Sequence, residues 1–299
     1  EPLLTFKRGA IVHFAVDQDN VSMTTRLMNG KTRFLPFNRG RDGGAGNPDV
    51  PDENRVAYLY KDLPEGRAVF SREVLLDLIG RFIHLERSGG KEVLIFPRFQ
   101  QLDAVRKLLA DARAQGAGQN YLIQHSAGSG KSNTIAWTAH QIINLHDEDD
   151  KPLFDTAIIV TDRLVLDRQL QNTIGGFART EGVGKKIDGT SRDLKDAILR
   201  GARIIITTIQ KFGTEHLATI SGQAGRNFAV IIDEAHSSQS GKAAQAMSDA
   251  LTRDATSSDD IEDLVLAFQK ARGPQKNISF LAFTATPRNV TLERFGRIG

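Results

Sequence analysis

Apolar residues recur in short runs over most of this chain, and the spacing of the runs changes near residue 90. Beyond that point, the runs that predict strands lie at 121–125, 156–161, 203–208, 228–232 and 278–283. Segments of helical spacing separate them, among them 131–146, 164–171 and 241–251. This alternation predicts an α/β fold with a mostly parallel sheet that helices cover on both faces. The stretch 252–277 is polar at first and then amphipathic, which predicts an insertion packed on the edge of that domain.

Residues 1–90 are organised differently and predict a separate, small α+β segment. Alternating apolar residues at 10–16 and 21–25 predict a pair of strands. Helical spacing over 71–85, with Ser71 as the N-cap, predicts a helix. We therefore place a domain boundary between 90 and 91. Turn-forming residues predict interruptions at two further places, 38–48 and 88–90.

A glycine-rich stretch, QHSAGSGKS at 124–132, follows the first of the parallel strands. Glycines let the backbone curl so that successive N–H groups point at a phosphate, helped by the positive end of the next helix. Lys131 would then reach the β- and γ-phosphates of a nucleotide, and the Ser132 hydroxyl would ligate Mg²⁺. The usual first glycine is His125 here, and a flexible glycine turn is the alternative interpretation. The predicted nucleotide-binding residues of this loop are Ser126, Ala127, Gly128, Ser129, Gly130, Lys131 and Ser132.

An acidic pair closes the apolar strand candidate at 228–232. Because nucleotide phosphates and Mg²⁺ gather at the carboxyl ends of parallel strands, Asp233 is predicted to hold the metal together with Ser132. Glu234 is predicted to orient and deprotonate the attacking water, which makes Glu234 and Lys131 the catalytic candidates. The alternative interpretation is a strand that ends in a solvated acidic turn. The glycine-rich loop elsewhere in the sequence favours the metal-site interpretation over this alternative.

The amino-acid composition is typical of a globular protein and does not indicate a particular activity. The 299 residues are 40% hydrophobic and 25% charged, with a net charge of +3, so total charge says little about nucleic acid. No apolar run approaches the ~18 residues of a membrane span. The absence of cysteine excludes disulfides and thiolate metal sites, and it fits a reducing compartment. We therefore expect a cytoplasmic protein with no membrane partner.

The phosphate loop, the DEAH sequence at 233–236 and the FTATP sequence at 283–287 together resemble the motifs of superfamily 2 helicases. More narrowly, the chain resembles the R subunit of type I restriction endonucleases, the ATP-driven motor and nuclease subunit. The segments that carry this narrower resemblance are 33–40, 44–48, 96–105, 160–170 and 206–212. The resemblance implies a first RecA-like motor lobe over 91–299 and the C-terminal part of a nuclease domain, with its connection to the motor, over 1–90. It also implies ATP and Mg²⁺ as cofactors, a bacterial or archaeal cytoplasm, and duplex DNA and the methylation and specificity subunits as partners.

The resemblance assigns roles to further residues of this chain. Gln101 matches the glutamine that hydrogen-bonds adenine, and a polar helix residue is the alternative; Phe99 is a base-stacking or core residue. Residues that match the motif coupling hydrolysis to motion are His236, Thr284 and Thr286. Residues that match DNA-backbone contacts are Thr161, Asp162, Arg163, Arg168, Gln169, Thr207, Thr208 and Gln210. Arg163 and Arg168 have an alternative as helix caps or as partners of neighbouring aspartates.

Two parts that the resemblance implies are missing from the sequence, so we expect a fragment of a longer protein. One is the second RecA-like lobe, which supplies an arginine finger. The other is the nuclease centre, since residues 1–100 contain neither Glu-x-Lys nor Asp-x-Lys. Two other hypotheses stay open: a different superfamily 2 helicase or remodeller, and a non-catalytic module that binds only nucleotide or a partner.

Overall fold

A computed structural model describes residues 4, 8–16, 21–37, 70–88, 91–126, 128–161, 184–186, 190–223, 225–233, 265, 273 and 275–285. The chain divides into two compact units, Glu1–Ala104 and Val105–Gly299. The boundary predicted between residues 90 and 91 remains a prediction. None of the described helices is long and apolar enough to cross a membrane.

The first unit contains two small antiparallel sheets and a short helix. Its three-stranded sheet has the order β1 (His13–Val16), β2 (Val21–Thr24) and β3 (Leu35–Pro36), which confirms the predicted strand pair. Helix α1 (Arg72–Asp77) continues as a π-helical turn, Leu78–Phe82, and strands β4 (His84–Ser88) and β5 (Lys91–Ile95) pair as a hairpin. Aromatic rings form its core, with contacts among Phe14, Phe37, Phe70, Phe96 and Phe99.

The helix predicted over 71–85 begins where expected and ends early. Ser71 has extended dihedral angles, and its hydroxyl accepts the N–H of Val74 at 3.3 Å, which confirms it as the N-cap. The predicted end at Leu85 is wrong, because Ile83 is extended and His84 already pairs with Ile95. A ladder of backbone hydrogen bonds to β5 satisfies the segment 84–88 better than a further helical turn would. Hydrophobic spacing alone carries no information about such a partner strand.

The second unit is built on one parallel sheet. Helix α2 (Phe99–Gln115) precedes it, followed by β6 (Asn120–Gln124), α3 (Lys131–Ile142), β7 (Thr156–Thr161) and β8 (Gly184–Lys186). Then come α4 (Ser191–Leu199), β9 (Ile204–Thr208), α5 (Thr214–Ser221), β10 (Phe228–Asp233) and β11 (Ile278–Thr284). The strand order is β6-β11-β10-β7-β9-β8, and every neighbouring pair is parallel. The predicted α/β class with a mostly parallel sheet is confirmed.

All five predicted strands of this sheet are present, and β8 is an addition. Its sequence, Gly-Lys-Lys, has no apolar pattern, because a three-residue strand at the sheet edge needs only backbone pairing with β9. Helix α3 ends at Ile142 and not at 146; the guanidinium of Arg203 donates to the carbonyl of Ile143 at 2.7 Å and caps that end. The predicted elements at 38–48, 164–171 and 241–251 lie outside the described residues. Of the predicted insertion at 252–277, residues 265, 273 and 275–277 are described, and Val265 is buried in the core.

Helices cover the faces of the sheet, and the carboxyl ends of its strands lie along one edge. Alternate strand residues such as Ile158, Val230 and Phe280 form a buried cluster with Leu194 of α4 and Leu217 of α5. Helix α3 contributes nothing to that cluster and packs against β7 and β10. Because the strands are all parallel, their carboxyl ends meet along one edge of the sheet. The residues at the ends of the five longer strands are Gln124, Thr161, Thr208, Asp233 and Thr284.

Candidate functional site

The glycine-rich loop connects the end of β6 to the first turn of α3. Gly128 and Gly130 have φ angles of +73° and +88°, the left-handed region that side chains disfavour. Between them, the N–H of Ser129 donates to the carbonyl of Ser126 at 3.1 Å and closes a tight turn. Gly130 is the N-cap of α3, so Lys131 and Ser132 occupy the first helical positions. The sequence thus folds into a loop that ends at a helix N-terminus, a geometry suited to an anion. Ala127 lies outside the described residues.

Lys131 and Asp233 meet at the carboxyl edge of the sheet. The Lys131 Nζ lies 3.3 Å from the Asp233 Oδ1, and the two side chains are 13% and 3% exposed. Strand β10 carries Asp233 there because it lies two strands from β6, with β11 between them. The structure therefore brings together the loop lysine and the acidic strand end, as expected of one site. Glu234, the predicted base, lies outside the described residues.

The chemistry of the pair fits a divalent cation bound beside a phosphate. Asp233 is a buried carboxylate that here faces an ammonium, so the position accommodates positive charge. Ser132 follows Lys131 on α3 and offers a half-buried hydroxyl. Mg²⁺ prefers oxygen ligands and is commonly held by one or two protein groups together with phosphate oxygens and water. Ser132 and Asp233 would supply those protein oxygens.

His125 occupies the position of the usual first glycine of the loop, and its side chain and backbone both make contacts that a sequence motif does not predict. Its ring Nδ1 lies 2.7 Å from the Ser129 Oγ, and its backbone N–H donates to the carbonyl of Thr284 at 2.8 Å. Its buried ring lies 6.4 Å from that of Phe283, centroid to centroid. Burial, and to a smaller extent the charge of Lys131, lowers the pKa of the imidazole, which is therefore neutral at pH 7. The sequence shows that the usual glycine is replaced here, and the four-residue spacing between His125 and Ser129 was the signal available for their contact.

Thr284 ends the neighbouring strand and is buried. Phe283 pairs with Asp233 in the parallel register, so Thr284 lies one residue beyond the acidic position on the adjacent strand. Thr284 itself pairs with Gln124, the last residue of β6. This placement is compatible with a coupling role, which stays a prediction. His236 and Thr286 lie outside the described residues.

The described candidates for DNA contact lie at the ends of β7 and β9. Thr161 pairs with Thr208, and Thr207 lies beside them; all three side chains are buried. The hydroxyls of Thr161 and Thr207 have no hydrogen-bond partner among the residues that the structure describes. Gln210, in the 3-10 turn Ile209–Lys211, is exposed, and its DNA-contact role stays a prediction. The other candidates, which are Asp162, Arg163, Arg168 and Gln169, lie outside the described residues.

Gln101 is buried in the first turn of α2, within the first compact unit. Its side-chain oxygen accepts the backbone N–H of Arg98 at 2.7 Å, as the third residue of a capping box does. Phe99 contacts Phe37 edge-on at 6.1 Å, which supports the interpretation of Phe99 as a core residue. The carbonyl oxygen of Gln101 thus already stabilises the start of the helix. Its adenine-binding role stays a prediction.

Solved helicase structures are similar to the chain, although weakly. The UvsW helicase from bacteriophage T4 is similar at 18% identity and a TM-score of 0.43, over 74% of this chain and 62% of that one. A hypothetical ATP-dependent RNA helicase from Sulfolobus tokodaii is similar at 17% identity and a TM-score of 0.36, over 65% of this chain and 47% of that one. The chain therefore spans less than two thirds of either protein.

No curated protein matches the chain. The sequence model of the SWI2/SNF2 ATPase family matches residues 100–257, which include the phosphate loop, α3 and the whole of β10 with Asp233. That region is more than half of the 299 residues. The chain therefore belongs to the SWI2/SNF2 ATPase family.

Proposed function

We propose that the chain is the first motor lobe of a type I restriction endonuclease R subunit, in which hydrolysis of Mg²⁺-ATP drives movement along duplex DNA. The observation that carries the ATP part is the pairing of Lys131 with Asp233 across 3.3 Å at the carboxyl edge of the sheet. The assignment to a restriction endonuclease is supported by the resemblance to type I R subunits, chiefly over the segments 33–40, 96–105 and 160–170. Phe37, in the first of these segments, is buried in the aromatic core of the first unit.

Each residue of the site has a defined task in this proposal. Lys131 releases the carboxylate of Asp233 and binds the β- and γ-phosphates, while the loop amides and the N-terminus of α3 bind phosphate oxygens. Ser132 and Asp233 hold Mg²⁺, which supplies positive charge to offset that of the phosphates. Glu234 orients the attacking water and accepts its proton. Gln101 binds the adenine, and Thr284, Thr286 and His236 couple the nucleotide state to motion.

Duplex DNA is proposed to lie along the rim formed by the ends of β7 and β9. Gln210 offers an exposed amide there, and Asp162, Arg163, Arg168 and Gln169 belong to the segment that follows β7. Contacts of this kind address the phosphate backbone and carry no sequence information. Target choice would then come from the specificity subunit, and the methylation and specificity subunits are the proposed protein partners.

Nucleotide binding by Lys131→Ala tests the ATP site. We expect the chain to bind Mg²⁺-ATP and the variant to lose that binding, because the phosphates lose their ammonium partner. Lys151→Ala is the matched control, since Lys151 is an exposed lysine that pairs with Asp149 away from the site. Equal binding by the Lys131 variant and the control would overturn the assignment. Binding without turnover, even after a second lobe is added, would favour the non-catalytic module.

The duplex motor is separated from another superfamily 2 helicase by two assays on the complete subunit. A motor that tracks duplex displaces a third strand from a triplex and does not separate the duplex as its main product. Strand separation as the main product would favour the second candidate, a helicase or remodeller, with which the family match is compatible. Affinity for duplex should also fall steeply with salt, by roughly 0.9 in log-log slope for each phosphate contacted. Affinity that is independent of salt would refute a surface that follows the backbone.

A further inference from the structure

His125 connects two parts of the site that are far apart in sequence. Its ring reaches forward to the Ser129 hydroxyl at 2.7 Å, inside the phosphate loop. Its backbone N–H reaches across to the carbonyl of Thr284 at 2.8 Å, at the end of β11. The ring is buried beside Phe283. A glycine at this position would keep the backbone contact and lose the other two.

The contact with Ser129 acts on the part of the loop that has the most conformational freedom. Ser129 stands between Gly128 and Gly130, both in the left-handed region, and glycines there have many alternative conformations. A hydrogen bond from position 125 to position 129 closes the loop across Gly128 and holds Ser129, the residue before Gly130. It therefore favours the conformation in which the N–H groups of the loop point at a common centre.

The surroundings of the ring keep it neutral at pH 7. Burial is the larger cause of its lowered pKa, and the positive charge of Lys131 is the smaller one. A neutral imidazole still has a ring nitrogen available to the hydroxyl. It also avoids placing a second cation next to the lysine that is proposed to bind phosphate. The residue is therefore suited to hold the loop without altering its charge.

We propose that His125 is a positioning residue for the nucleotide: by holding Ser129, its ring keeps the phosphate loop in its binding conformation. The proposal rests on the nucleotide site proposed above. When a binding-competent conformation is only partly populated, the apparent affinity falls by that fraction. A typical net hydrogen bond corresponds to about a fivefold change in an equilibrium constant. Loss of the ring should thus weaken nucleotide binding by about threefold to fivefold.

A double-mutant cycle on the whole chain tests this, with Mg²⁺ and a fluorescent N-methylanthraniloyl-ADP as the probe. His125→Ala, Ser129→Ala and the double variant should all weaken binding by the same factor, because each removes one shared hydrogen bond. His125→Asn should retain affinity to within about twofold, since its amide can occupy the place of Nδ1. His146→Ala is the control; its ring contacts the carbonyl of Asn144 in the turn after α3. Thermal midpoints of every variant confirm folding.

The outcomes separate this inference from the function on which it rests. Wild-type binding that Lys131→Ala abolishes and His125→Ala leaves unchanged would overturn the positioning role alone. Losses that multiply in the double variant would overturn it too, since independent effects do not come from one contact. No binding by the wild type would overturn the proposed nucleotide site itself, and the positioning role with it. Equal, non-multiplying losses with rescue by asparagine support the proposal.

Discussion

Replacing Lys131 with methionine removes an ammonium that faces a buried carboxylate. The Nζ lies 3.3 Å from the Asp233 Oδ1, and Asp233 is only 3% exposed. At that distance, an effective dielectric constant of about 20 gives an attraction of roughly 5 kcal/mol before desolvation. Breaking such a pair from one side costs about 3–5 kcal/mol, because it leaves a charge in the interior. Lys131 is partly exposed to water, so we expect the low end, about 3 kcal/mol.

Thermal unfolding of the nucleotide-free chain measures that loss. For a unit of 150–250 residues, 1 kcal/mol moves the midpoint by about 2–4 °C, so Lys131→Met should lower it by roughly 6–12 °C. Lys151→Met is the control, because its partner Asp149 lies 3.5 Å away and the two side chains are 73% and 77% exposed. Exposed pairs contribute little, and the control should stay within about 2 °C of the wild type.

A second variant identifies the cause of the loss. Asp233→Asn added to Lys131→Met removes the buried charge, and we expect it to recover at least half of the lost midpoint. Two results would refute the reasoning. One is a Lys131→Met midpoint as close to the wild type as that of the control, which would mean that the pair contributes nothing to stability. The other is a double variant no more stable than Lys131→Met, which would mean that the cost does not come from the carboxylate.

The fold supports three further predictions. Gly128→Ala should lower the free energy of unfolding by about 1 kcal/mol through its φ of +73° alone, since nothing lies within 4 Å of an added Cβ. The control is Gly80→Ala, which is also in open space but within the π-helical turn, and it should be neutral or stabilising. Equal losses of stability in the two variants would contradict the backbone explanation. Ser279→Ala should cost about 1–3 kcal/mol in chemical denaturation, because the buried hydroxyl accepts the N–H groups of Gly118 and Gln119 at 3.0 and 3.1 Å; a loss under 0.5 kcal/mol would show that these groups find other partners. Because burial lowers the pKa of His125 in the folded state, the unfolded chain takes up the proton first, so the free energy of unfolding should fall as the pH drops from about 7 towards 5. His125→Asn should flatten that pH profile, and a variant with the wild-type slope would rule out His125 as its source.

Local sequence was sufficient wherever the physical cause is itself local. Left-handed glycines at 128 and 130 follow from the loop sequence, because no other residue adopts those angles at so little cost. Ser71 was recognisable as an N-cap because its hydroxyl satisfies an N–H only three residues away. The five apolar strands were recognisable because burial on both faces demands nearly continuous apolar runs. The α/β class and the two motifs of the candidate site follow from these features.

Tertiary structure alone determined which of these elements are neighbours. The end of the helix predicted to Leu85 depends on pairing with β5, and the three-residue strand β8 depends on an existing sheet edge. Strand order likewise places β11 between β6 and β10, although β11 is the last of them in sequence. That order brings Thr284 to the backbone of His125, and it places Asp233 within 3.3 Å of Lys131. The sequence by itself determined the chemical groups of the site and the local backbone that presents them. Their distances, burial and charge state came from the assembled sheet, because hydrogen bonding between strands and desolvation depend on neighbours that no local stretch of sequence specifies.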